Sequence, residues 1–172
     1  MMTSRFKTSI ISNLLLYLPL ILLFISVFNE FDFNYLNYQY FSFNFPFILI
    51  FYWSLKRIET LGYGYIFIAG MFNDAVLGFP MGISSLTYLI ICGFSAYLRN
   101  ITLRPSLLKD WFYFLFTISV ANSINYFLLI LFFSIEVNYY EILGNIIFTF
   151  LLYYICGYFF DIYRKIISRI KT

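Results

Sequence analysis

Apolar residues run through this chain in long blocks, and what breaks them is regular. Three stretches of 48, 41 and 54 residues contain no Lys or Arg: 8–55, 58–98 and 110–163. Each is long enough for two helices of about 20 residues and a connection. The middle of each holds polar or turn-forming residues: Asn29–Asp32, Gly78-Phe79-Pro80-Met81-Gly82, and Glu136–Glu141. The pattern predicts six helices as three hairpins, over 9–28, 36–55, 60–77, 82–98, 111–134 and 142–161. The second segment is the least regular, because Asn44 and Pro46 interrupt it and an aromatic, Asn-rich run (Tyr35–Phe41) precedes it.

Composition gives these helices their solvent. Of 172 residues, 62% are hydrophobic, 25% aromatic and 11% charged, and there is no His. A soluble domain carries roughly 25% charged residues. The expected fold is therefore an all-α membrane protein, one bundle of six transmembrane helices filling 1–172 as a single polytopic domain. The eleven basic residues fall in four clusters: Arg5 and Lys7; Lys56 and Arg57; Arg99, Arg104 and Lys109; Arg164, Lys165, Arg169 and Lys171. Basic clusters stay on the cytoplasmic side, which puts both termini there and makes Lys56, Arg57, Arg99, Arg164 and Lys165 topology anchors. The first apolar run lacks a small-x-small cleavage site and reaches full membrane length before Asn29-Glu30, so it reads as a retained helix. The basic C-terminal tail fits either an anchor on anionic headgroups or a contact with a cytoplasmic partner.

Little here supports catalysis. An active site needs an acid, base, nucleophile or metal within mutual reach, and the chain has no paired intramembrane acids, no nucleophile elbow and no metal-ligand spacing. Cys92 and Cys156 read as small packing residues, with neither a disulfide nor a metal site implied. Neither a cofactor nor nucleic-acid binding is expected. Polar stripes recur on the helices: Ser9, Ser12 and Asn13; Ser119, Asn122, Ser123 and Tyr126; Asn145, Thr149 and Cys156. Such stripes face other helices, because lipid offers no hydrogen-bond partner. Packing within the bundle is their commoner role, with a partner-facing or substrate-facing surface as the alternative.

One acid stands apart. Asp74 lies within an apolar segment, one helical turn before the Gly78–Gly82 turn. A carboxylate at that depth marks an architectural or functional position. The next helix starts just past Pro80 and Gly82, so its unpaired amides, with Ser84 and Ser85, lie at a similar depth. Those amides and their partial positive charge can hold a carboxylate without a countercharge. Asp74 is therefore expected to clamp the hairpin, with Gly70, Gly78, Pro80 and Gly82 shaping it; direct contact with a ligand or partner is the other reading.

At this hairpin the chain resembles the rod shape-determining protein MreD family. The resemblance rests on Pro46, Tyr52-Trp53, and Gly70, Asp74, Gly78, Pro80, Met81 and Gly82, a G-x3-D-x3-G-x-P-x-G pattern. Elsewhere only the hydropathy layout agrees. Lys56-Arg57 stands where the family often has Arg-Pro. The resemblance implies a non-enzymatic subunit of the bacterial cell-elongation machinery in the inner membrane. Its implied partner is the single-span periplasmic protein MreC. Through that complex it would link MreB filaments to the polymerase RodA and a class B transpeptidase, in contact with membrane lipid. The family is also similar to the six-helix substrate-binding subunits of energy-coupling-factor vitamin transporters, which makes a vitamin-capturing subunit the alternative.

Overall fold

Asn44 and Pro46 decide where the most buried helix begins. In the computed structural model, which describes residues 17–28, 42–56, 61–102, 106–133 and 139–171, Asn44 precedes this helix and its carbonyl accepts the Phe47 N–H at 3.2 Å. Pro46 falls in the first turn, where its missing N–H has no intrahelical partner to lose. The helix, α2, covers Phe45–Lys56. It is preceded by α1 (Tyr17–Phe28) and followed by α3 (Tyr63–Leu77), α4 (Ile83–Ile101), α5 (Leu107–Phe133) and α6 (Tyr139–Lys171). The regular elements among the described residues are all α-helices.

Two elements differ from the sequence expectation. In the segment expected over 36–55, residues 42–44 are not helical and the helix starts at Phe45, for the reason just given; residues 36–41 lie outside the described residues, as do 9–16 with Ser9, Ser12 and Asn13. The last helix runs ten residues past its expected end at Asp161. Nothing from Ile162 to Lys171 breaks a helix. An Asp161–Arg164 pair one turn apart and basic residues near the C-terminal end of the helix dipole also favour the extension.

Among the described residues, two helices are long and apolar enough to cross a membrane: α5, and α6 over Tyr139–Ile167. The distribution of side chains matches that solvent. Ser54, Asp74, Ser85, Asp110 and Thr117 are buried, while Phe112, Phe116, Phe127, Leu131 and Phe132 lie exposed along α5. Apolar surface on this scale belongs to a membrane or a partner rather than to water.

The core is built around α2, in which every residue from Pro46 to Leu55 is buried. It packs against α4 and α6, while α4 also touches α3 and α5, and α5 touches α6. Phe47 meets Tyr88 of α4 edge-on with ring centroids 5.8 Å apart. Phe51 packs on Phe114 of α5 and Tyr153 of α6, which stack on each other at 4.3 Å. Trp111 stacks on Phe150 at 4.4 Å and donates its indole N–H to the Phe150 carbonyl at 2.7 Å, so a polar handle is satisfied inside an aromatic joint.

Both ends of α2 are tied by polar side chains. At its start, Asn44 Nδ2 donates to Asn145 Oδ1 at 2.9 Å, Asn145 Nδ2 donates to Ser42 Oγ at 2.9 Å, and the Asn44 N–H donates to Thr149 Oγ1 at 3.0 Å. At its finish, Tyr52 donates to Asp161 Oδ1 at 2.6 Å, and Lys56 Nζ meets Asp110 Oδ2 at 2.6 Å.

Candidate functional site

The α3–α4 hairpin is made by two left-handed glycines and one carboxylate. Gly78, at φ 67°, takes the left-handed turn that ends α3, and its N–H bonds to the Asp74 carbonyl. The Phe79 N–H reaches the same carbonyl at 2.9 Å. This left-handed cap favours Gly because a Cβ crowds the following carbonyl. Gly82, at φ 107°, then opens α4.

The Asp74 carboxylate crosses from one helix to the other. Oδ2 accepts the Gly82 N–H at 2.7 Å and Oδ1 accepts the Ser84 N–H at 2.9 Å. Asp74 is fully buried. The first amides of a helix have no intrahelical partner and carry its positive dipole end, so the acid and the amides each remove the other's desolvation cost. Beside it, Asn73 Nδ2 donates to Ser84 Oγ at 3.0 Å, and Ser85 Oγ donates to the Phe67 carbonyl at 3.0 Å. Chemically this is an anion held by backbone, with both oxygens engaged.

Close approach of the two helices depends on Gly70. A Cβ built there would lie 2.4 Å from Ser85 Cα and 2.6 Å from Ser85 N. The structure thus brings Gly70, Asp74, Gly78 and Gly82 into one joint; Pro80 lies in its turn, half-buried.

The stripe on α5 occupies one arc of the helix that runs from the bundle to its outer surface. Asn122 is buried, Ser123 is exposed, Tyr126 is half-buried, and Ser119 Oγ donates back to the Leu115 carbonyl of its own helix at 2.8 Å. At 100° per residue the four positions straddle the boundary between bundle and outer surface. On the expected face of α6, Asn145 and Thr149 hold the start of α2, while Cys156 lies two turns further on, half-buried.

The anchors separate in the same way. Arg99 and Lys165 are exposed, and Arg57 lies outside the described residues. Lys56 is not a free surface charge: its side chain and that of Asp110 are only 9% and 3% exposed. Arg164 shares the Asp161 oxygen that Tyr52 uses, at 3.2 Å. The sequence expectation gives no pairing to Asp110, Asp161 or Tyr52, the last of which enters it only through the resemblance; the available signal was an acid beside the basic residues at Lys109 and Arg164. Among the described residues, no His, Cys, Asp or Glu side chains gather in a group that could hold a metal ion.

No family model, curated protein or solved structure matches the chain.

Proposed function

We propose that this chain is a six-span scaffold subunit of the bacterial inner membrane, of the kind its hairpin resembles in the MreD family. On this reading the six helices cross as three hairpins with both termini cytoplasmic, and the protein works by presenting a surface to other membrane proteins. The observation that carries the proposal is the use made of the deepest charge. Asp74 commits both carboxylate oxygens to backbone amides of the next helix and is fully buried, which supports a role in fixing the shape of a joint. The outward side of α3, with Tyr65, Ile68 and Val76 exposed, is then the face such a joint would present.

The expected partner is an MreC-like periplasmic protein, with MreB filaments, a RodA-type polymerase and a class B transpeptidase in the wider assembly. Affinity purification from native membranes tests this directly. An MreC-like protein should copurify, and depletion of the chain should round the cells of a rod-shaped host. Cells that keep their shape but lose uptake of a vitamin would replace this reading with the transporter one.

A further inference from the structure

We draw no further inference here: the strongest candidate, the aromatic cluster of Trp53, Phe160 and Tyr163 in the joint between α2 and α6, contains a buried indole N–H without a hydrogen-bond partner among the described residues, but that N–H is closed off from the surface and nothing in the structure shows an acceptor that reaches it.

Discussion

Gly70 and Ser85 cross so closely that a single methyl group at Gly70 would penetrate the backbone of α4, 2.4 Å from the Ser85 Cα. No side-chain rotation relieves this contact, because the obstacle is main chain. Gly70→Ala must push the two helices apart and stretch the Asp74 bonds at the end of the same hairpin. A loss of about 1–3 kcal/mol is expected, as for overpacking elsewhere. Gly93, on the other flank of α4, has nothing within 4 Å of its added Cβ. Gly93→Ala should be neutral or slightly stabilising, since Ala is the better helix former. Thermal unfolding of both variants in detergent checks the contrast. Equal melting temperatures would show that the crossing is looser than the structure has it.

Substitutions at Asp74 separate the two contributions of the clamp, acceptor geometry and charge. Asp74→Asn keeps one side-chain acceptor and loses the charge; Asp74→Leu leaves the Gly82 and Ser84 amides without the partner they have now. Each stranded amide costs ~1–3 kcal/mol. The expected order of folded yield is wild type, then Asn, then Leu, measured by size-exclusion recovery after solubilisation. If both variants are recovered at wild-type level yet lose their copurifying partner, Asp74 acts through the partner and not through the hairpin.

Which parts were readable in advance follows from how far apart the partners lie in the chain. Asp74 and the α4 amides are eight and ten residues apart, and counting turns from a Gly/Pro break puts them at one depth. The all-helical class follows from blocks of apolar residues at bilayer length. The ties that hold α2 span 54, 101 and 109 residues, and nothing local to Lys56, Asn44 or Tyr52 names Asp110, Asn145 or Asp161. Asn44 illustrates the difficulty: as sequence it interrupts a hydrophobic run, whereas in the fold it starts a helix and docks it. How much of the α5 stripe is buried was equally hidden, because periodicity gives a face but not what covers it.

The buried Lys56–Asp110 pair should behave as a unit. Removing one partner leaves an uncompensated charge inside the bundle, at a cost of about 3–5 kcal/mol, whereas replacing both with apolar residues of similar volume can come close to neutral. Lys56→Met and Asp110→Leu should each lower the melting temperature strongly, and the double variant should recover much of the loss. A double-mutant cycle on thermal stability measures the coupling. Additive losses would mean that the two charges are solvated separately in the folded protein.

The proposed six-span arrangement would make the α3–α4 turn an outer-face feature, and Met81 gives a way to test it without a fusion. Met81 is 64% exposed in that turn, while Cys92 is fully buried and Cys156 half-buried. In a background with both cysteines changed to Ala, Met81→Cys should react with a membrane-impermeant maleimide added to intact spheroplasts. Ile166→Cys, 51% exposed near the opposite end, should react only after the membrane is opened. Inverting the bundle would carry the basic clusters to the wrong side, and each Lys or Arg forced to a helix centre costs ~2.5–3.5 kcal/mol on insertion scales. The two cysteines should therefore label in strict opposition. Labelling of both positions from outside, or of Met81→Cys only after permeabilisation, would eliminate this topology and with it the orientation on which the scaffold reading depends.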